Sequence, residues 1–145
     1  MLAKAGGDPI LPFGQYVNKL EVKLAIILRK SRVAFKFAGP DAKKLLNDVL
    51  SGTISQDDKS ARWWALLTPQ GKIVAEGLLG WQNGAFWLDV GAEFAAGFFR
   101  RMLMYKLRAD VEISDLSASH AVGWSELAPE SADLIIHQDK RGQGL

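Results

Sequence analysis

Cysteine is absent from this chain of 145 residues. Without cysteine the chain can form no disulfide, and it has no thiolate ligand for zinc or an iron-sulfur cluster, no thiol nucleophile and no redox pair. A chain of this composition is compatible with a reducing compartment, so we predict a cytoplasmic protein. Its length is sufficient to bury a core by apolar packing alone.

Strong charge bias and long apolar runs are also missing. The chain has 18 Lys and Arg against 16 Asp and Glu, a formal net charge of +2, which predicts no nucleic-acid partner. Two local basic runs, within residues 29–36 and 100–108, are interpreted as solvated faces. Residues 24–28 form an apolar run far below the ~20 residues of a membrane span, so we expect no membrane partner.

Motifs for metal binding and common catalysis are missing as well. His120 and His137 are the only histidines, and they stand too far apart in sequence for a paired ligand spacing. The chain contains no Gly-rich phosphate loop and no Gly-x-Ser-x-Gly elbow. We therefore expect that no metal is bound by this chain.

Hydrophobic patterning predicts an α+β fold with an antiparallel-rich sheet and two main helices. Val33, Phe35 and Phe37 alternate with polar or small residues, which indicates a half-buried strand, and Pro40 then favours a helix start. Turn-forming residues at 69–72 and 83–84 indicate two hairpins. The predicted strands cover residues 32–37, 61–68, 73–81, 86–90, 111–113, 121–124 and 134–137, and the predicted helices cover residues 40–50 and 92–107.

The remaining segments give weaker signals. Residues 1–15 are interpreted as an irregular arm. The apolar residues within 16–28 fit both the helical and the strand period, and helix is favoured. Residues 55–60 are polar and predict a surface loop. As domains, we predict an N-terminal arm over residues 1–28, one folded domain over 29–128, and a tail over 129–145.

Five tryptophans all lie in predicted strands. Trp63 and Trp64 are adjacent, so in a strand their rings point to opposite faces of the sheet. One of the two therefore needs a partner outside a simple core. A flat heterocycle such as a pterin, or a second domain, would supply that partner.

Three segments, in order and at the right spacing, carry a resemblance to a known family. Residues 31–46, 66–73 and 105–111 resemble the opening strand and helix, the central hairpin and the helix end of YgfZ-like proteins. These proteins form a branch of the glycine-cleavage T-protein (aminomethyltransferase, GcvT) superfamily. The resemblance covers roughly residues 29–119 and implies an N-terminal tetrahydrofolate-binding domain. It also implies a role in the maturation or repair of iron-sulfur client proteins. Through client proteins that are enzymes, it further implies a role in tRNA modification.

The sequence departs from the family pattern at three places. Ser51, Gly52 and Thr53 replace a Thr-Asn-Asp segment, and Ala75 and Glu76 stand where aminomethyltransferases have an Asp-Asp pair that engages folate. The family's Lys-Gly-Cys-x-x-Gly-Gln-Glu signature needs a cysteine, and this chain has none. We expect the tail to lead toward a second half that these 145 residues do not contain.

Three functions follow from these observations. The first is a tetrahydrofolate-binding module related to iron-sulfur maturation proteins, without turnover of its own. The second is a folate-dependent aminomethyltransferase fragment with Glu76 as the catalytic acid, and the third is an interaction domain that has lost folate. The residues that the resemblance and the aromatic pattern place at a folate site are Ser51, Gly52, Thr53, Trp63, Trp64, Gly71, Lys72, Glu76 and Arg108.

Assembly is also predicted. A chain that stops where the family continues leaves strand edges and apolar faces that another chain would cover. We therefore expect a homodimer, in which strands could be exchanged between the two copies.

Overall fold

A computed structural model describes residues 2–4, 26–57, 60–126 and 133–141 of the chain. Over these ranges the chain forms eleven strands and two α-helices. The strands are β1 (Leu2–Lys4), β2 (Ile27–Leu28), β3 (Arg32–Ala38), β4 (Ser51–Gly52), β5 (Ser60–Leu67), β6 (Ile73–Gln82), β7 (Ala85–Gly91), β8 (Glu112–Asp115), β9 (His120–Trp124), β10 (Leu134–Ile135) and β11 (Gln138–Asp139). The helices are α1 (Ala42–Val49) and α2 (Ala95–Lys106), and a 3-10 turn at Ala92–Phe94 leads into α2.

A seven-stranded sheet forms the centre of the fold. Its order is β11-β5-β6-β7-β3-β8, with β4 paired to β5, and only the β11–β5 pair among these is parallel. Both predicted hairpins are present. Asn83 and Gly84 have φ of 52° and 72°, as a two-residue turn that follows the strand twist requires. The prediction of an α+β fold with an antiparallel-rich sheet and two helices is therefore confirmed.

Both helices pack on one face of this sheet. Phe35 and Phe37 of β3 are fully buried beneath them, as the alternation in the sequence predicts. Phe98 of α2 lies at the centre of this core, with its ring centroid 5.4 Å from that of Phe35 and 5.1 Å from that of Trp64. Leu46 of α1 is also fully buried there. Burial of these large apolar side chains is the main stabilising contribution to this layer.

The opposite face of the large sheet is covered by a four-stranded sheet of order β10-β1-β9-β2. Side chains of β3 and β7 that alternate with the helix-facing ones contact it, because successive residues of a strand point to opposite sides. This second, smaller core contains Ala34, Ala85, Trp87, Val122 and Ile135. The molecule therefore has helices on one face of its main sheet and a small sheet on the other.

Several local predictions were wrong. Leu2–Lys4 form β1, which pairs with β9 and β10, although residues 1–15 were expected to be irregular. Ile27–Leu28 pair with β9 as a strand, although helix was favoured. Ser60 is buried at the start of β5 and does not belong to a surface loop. The other predictions for residues 5–25 lie outside the described residues.

Candidate functional site

Arg32, the first residue of β3, extends its side chain across β7 toward β6. Its Nε donates to Oδ2 of Asp89 at 2.8 Å, and its Nη2 donates to the backbone oxygen of Glu76 at 2.8 Å and that of Asp89 at 3.4 Å. The Arg32 side chain is only 13% exposed and that of Asp89 is 11% exposed. The interpretation of Arg32 as part of a solvated basic run is therefore wrong, since a buried carboxylate holds it.

This contact lies where the ladder between β6 and β7 ends. The paired residues begin with Gln82 opposite Ala85 and end with Leu79 opposite Leu88. Just beyond this last pair, Oδ1 of Asp89 accepts a hydrogen bond from the backbone N of Leu78 at 2.5 Å. Gly77 permits this close approach, because a Cβ there would lie 1.9 Å from the backbone oxygen of Asp89. The Arg and Asp side chains thus satisfy backbone groups that the strands leave without ladder partners.

Glu76 presents a carboxylate at the edge of this cluster. Its Oε1 lies 3.4 Å from Nη1 of Arg32, and its Oε2 accepts a hydrogen bond from the indole Nε1 of Trp63 at 2.8 Å. The Glu76 side chain is 43% exposed, far more than either member of the Arg32–Asp89 pair. Each carboxylate oxygen can accept more than one hydrogen bond, so this oriented anion can still accept donors from a ligand.

A second arginine lies near the same acids. Oδ2 of Asp139 accepts a bond from Nη2 of Arg141 at 2.6 Å, just after β11. This hydrogen bonding lowers the pKa of the Asp139 carboxyl and raises the pKa of the Arg141 guanidinium. The negative charges of Asp89 and Glu76 also raise the pKa of Arg141, which places its guanidinium within electrostatic range of the Arg32 cluster.

Three of the predicted site positions come together around Trp63. The Trp63 side chain is exposed, and Gly52 of β4 packs on its backbone, since a Cβ on Gly52 would lie 2.4 Å from the Trp63 oxygen. Ser51 and Thr53 flank Gly52 and are exposed. Ser51 and Glu76 both pair with Ala65 of β5, and Glu76 in turn lies beside the Arg32–Asp89 pair.

Trp64 points to the opposite face of the sheet, as strand alternation predicts. It is 1% exposed, its Nε1 donates to the backbone oxygen of Leu78 at 3.2 Å, and its ring packs on Phe98. Trp64 therefore belongs to the core beneath the helices. Of the two adjacent tryptophans, Trp63 is the one that can contact a ligand.

Lys72 and Arg108 are not brought together. Gly71 and Lys72 lie in the exposed turn before β6. Arg108 follows α2, two residues before Asp110. Asp110 contacts Asp41 beyond the far end of β3, so Arg108 lies near that end. β6 runs between these two ends and spans ten residues, about 30 Å at the usual rise of a strand. Within the described ranges, neither Lys72 nor Arg108 takes part in an ion pair.

Sequence reasoning missed Arg32 and Asp89 as members of the site. A signal was available, because Asp89 is the single acid within the apolar residues 86–90 of a predicted strand. A carboxylate in such a strand requires a charged or hydrogen-bonding partner when it is buried. The identity of that partner depended on the pairing of β3 with β7 and could not be read from local sequence.

No group of three or more His, Cys, Asp or Glu among the described residues is arranged to hold a metal ion. None of the helices in the described part of the chain is long and apolar enough to cross a bilayer.

The arrangement of sheet and helices matches a known structure. The chain superimposes on glycine cleavage system aminomethyltransferase T from Bartonella henselae with a TM-score of 0.57 and 16% identity, over 65% of this chain and 27% of that one. The chain therefore shares the fold of the matched part of this aminomethyltransferase, and the fold that the resemblance implies is confirmed.

The chain is also similar in sequence to a curated protein. The chain is 29% identical over 109 residues to the protein named iron-sulfur cluster assembly factor IBA57 homolog, mitochondrial, from Pyricularia oryzae. The match covers 72% of this chain and 28% of the relative, so the chain spans little more than a quarter of the length of either similar protein. No family model matches the chain.

Proposed function

We propose that this chain is a tetrahydrofolate-binding module that serves iron-sulfur protein maturation or repair and has no turnover of its own. The observation that carries the proposal is the pairing of Glu76 with Trp63. An accessible carboxylate is held by a guanidinium and an indole N–H, directly beside an exposed aromatic ring. This combination suits a flat ligand with adjacent N–H donors.

The chemistry of a pterin fits these groups. A pterin presents an amide N–H and an amino group along one edge, and a carboxylate can accept both. Glu76 retains acceptor capacity because each of its oxygens has only one donor within the described residues. The indole of Trp63, 41% exposed, offers a surface on which the heterocycle can stack. When bound, tetrahydrofolate would supply a carrier for one-carbon groups.

Binding without turnover is favoured by the small number of acids. Transfer chemistry on folate requires a positioned acid or base near the reacting nitrogen. Ala75 provides no such group, and both oxygens of Glu76 already accept charge-assisted or indole hydrogen bonds. Glu76 is therefore assigned to recognition of the ligand, and the aminomethyltransferase alternative has less support.

The connection with iron-sulfur proteins depends on the fungal relative. That protein is named as an iron-sulfur cluster assembly factor, and 72% of this chain aligns with it. The partners implied are iron-sulfur client proteins. The cytoplasmic location of this chain stays a prediction from composition. The name of the relative describes that protein as mitochondrial.

A titration with tetrahydrofolate tests the proposal, followed by calorimetry and tryptophan fluorescence. Trp63→Phe should remove most of the ligand-induced quenching while the protein stays folded, because Trp64 is shielded in the core. Glu76→Gln should weaken binding by about 1.5 to 3 kcal/mol, the range for a hydrogen bond to a charged group. Folded wild-type protein that gives no heat and no quenching at millimolar ligand would overturn the proposal.

The two distant cations provide a second test of the same site. Lys72→Ala and Arg108→Ala should each cost about 1 to 3 kcal/mol if the residue contacts a ligand carboxylate. Since these residues lie at opposite ends of β6, one ligand bound at Glu76 should be weakened by only one of the two substitutions. Equal losses from both substitutions would contradict binding at Glu76.

A further inference from the structure

An open cleft of about 560 Å³ lies against α2 and the 3-10 turn that precedes it. Phe94 and Met104 line it and are 48% and 68% exposed, which is unusual for large apolar side chains on a surface helix. Glu93, Arg100 and Arg101 line the same cleft. It therefore combines exposed apolar surface with charges of both signs.

Gly97 lies in this cleft near the start of α2. A Cβ added to Gly97 would meet nothing within 4 Å, so packing inside the chain does not require glycine there. Glycine in a helix interior costs about 1 kcal/mol relative to alanine. Its effect on the surface is to leave a shallow place where another backbone could approach closely.

The charges are arranged symmetrically about Gly97. Glu93 precedes Gly97 by four residues and Arg101 follows it by four, while Phe94 and Arg100 stand three residues to either side. If α2 of a second copy, with the 3-10 turn that precedes it and carries Glu93, crosses antiparallel with Gly97 against Gly97, each Glu93 faces an Arg101 of the other copy. Each Phe94 then faces an Arg100, an arrangement that permits a cation–π contact.

Both charged residues are available for such a contact. Across the parts of the chain that the structure describes, neither Glu93 nor Arg101 forms an ion pair. In a two-fold interface every contact occurs twice, so two Glu93–Arg101 pairs would form. A partner surface with charges of only one sign would place a like charge beside either Glu93 or the two arginines, Arg100 and Arg101.

We propose that two copies of this chain associate through this α2 surface, with Glu93 of each copy paired to Arg101 of the other. The pattern is self-complementary, and this is why the occupant is a second copy. The contact is on the helix face and not on the strand edges considered from the sequence. One crossing of two helices is a small interface, so association should be weak and should weaken further at high salt.

A charge swap tests the proposal, with sedimentation equilibrium of the folded protein over a range of concentrations. Wild type should dimerise, and Glu93→Arg or Arg101→Glu should each raise the dissociation constant by about tenfold or more, because like charges then face each other. The double variant Glu93→Arg, Arg101→Glu restores both pairs and should return the constant to within about threefold of wild type. Gly97→Phe fills the crossing point and should abolish the dimer.

Lys43→Glu is the matched control, since Lys43 is an exposed cation on α1 and lies outside the cleft. Its dissociation constant should equal that of wild type, and circular dichroism should show the same fold for all variants. Wild-type protein that stays monomeric at the highest concentration overturns the proposal. A dimer that survives both single reversals, or a double variant that does not recover, also overturns it.

Discussion

Arg32 and Asp89 join two strands at the point where the ladder between β6 and β7 ends. The guanidinium donates to the backbone oxygens of both Glu76 and Asp89 while it neutralises the Asp89 carboxylate. Both side chains are largely buried, so neither could find water as a replacement partner. Removal of the arginine would leave a carboxylate and two carbonyl groups without their donors.

Arg32→Met should lower the free energy of unfolding by about 3 to 5 kcal/mol, the usual cost of breaking a buried ion pair. Arg32→Lys should restore only part of the loss, because an ammonium group lacks the planar fork that reaches four oxygens at once. Urea unfolding followed by tryptophan fluorescence measures both variants.

Lys44→Met is the control for this comparison. Lys44 pairs with Asp48 on α1, but its side chain is 77% exposed. An exposed pair of this kind contributes little, so this variant should unfold at the same urea concentration as wild type. If Arg32→Met also unfolds there, the structural role assigned to Arg32 is wrong.

At the scale of single residues, the sequence predicted side-chain direction better than side-chain partners. The opposite orientation of Trp63 and Trp64 followed from the two-residue period of a strand. The partner of Trp63 did not, because Glu76 is brought beside it by the pairing of β5 with β6. Roles assigned to Lys72 and Arg108 by resemblance stay predictions.

Among the elements, residues 133–141 are held on the large sheet by side chains more than by a long ladder. The amide of Gln82 accepts from the backbone N of Ile136 at 3.0 Å and donates to the oxygen of Leu134 at 3.4 Å. The ring of His137 lies on Gly80, where a Cβ would approach it to 2.4 Å. Gln138 and Asp139 of β11 pair with β5, and Asp139 also accepts hydrogen bonds from Arg141 within the same segment.

The stability of this segment should depend on pH through Asp139. Hydrogen bonding to Arg141 lowers the pKa of the Asp139 carboxyl in the folded protein below its ordinary value of 3.8. The ionised carboxylate therefore stabilises the attached segment above the pKa of the unfolded chain. This contribution is lost progressively as the pH falls below about 4 and through the lower folded pKa.

Hydrogen exchange of the amides in β11, compared between wild type and Asp139→Asn, measures this effect. The two proteins should differ in protection at neutral pH, and the difference should vanish toward acid. Amides of β3 and β7 provide the internal reference for global unfolding. A difference that is unchanged by acid would contradict the role given to Asp139.

The predictability of each element depended on how local its determinants are. The two hairpins could be predicted, because Gly71, Asn83 and Gly84 are turn residues between alternating strands. β1 could not, because it pairs with β9 and β10 at the other end of the chain. A three-residue strand has no period of its own to detect.

For the whole molecule, the fold class could be predicted, and the second layer could not. The core beneath the helices is encoded by apolar stripes in α1 and α2 and by alternation in β3. The smaller core is formed by short strands of two to five residues that meet only after the chain has folded. Residues of β3 and β7 contribute to both cores, one on each face.

These two cores should differ in the cooperativity of their unfolding. Leu46 is fully buried between α1 and the large sheet, so Leu46→Ala should lower the global free energy of unfolding by about 2 to 5 kcal/mol. Ile135 is 7% exposed in the smaller core, on a strand of two residues. Ile135→Ala should mainly release β10 and its neighbours β1 and β9, because short strands with few buried groups open below the global limit.

Native-state hydrogen exchange distinguishes the two variants. Leu46→Ala should reduce the protection of amides in β3, β6 and β7, which open only when the central sheet unfolds. Ile135→Ala should reduce protection in β1 and β9 and leave that of the central strands unchanged. Because β3 contributes Ala34 to the smaller core, its amides are the sensitive reporters. If Ile135→Ala reduces their protection as much as that of β9, the two sheets unfold as one unit and the second layer is a full part of the cooperative core.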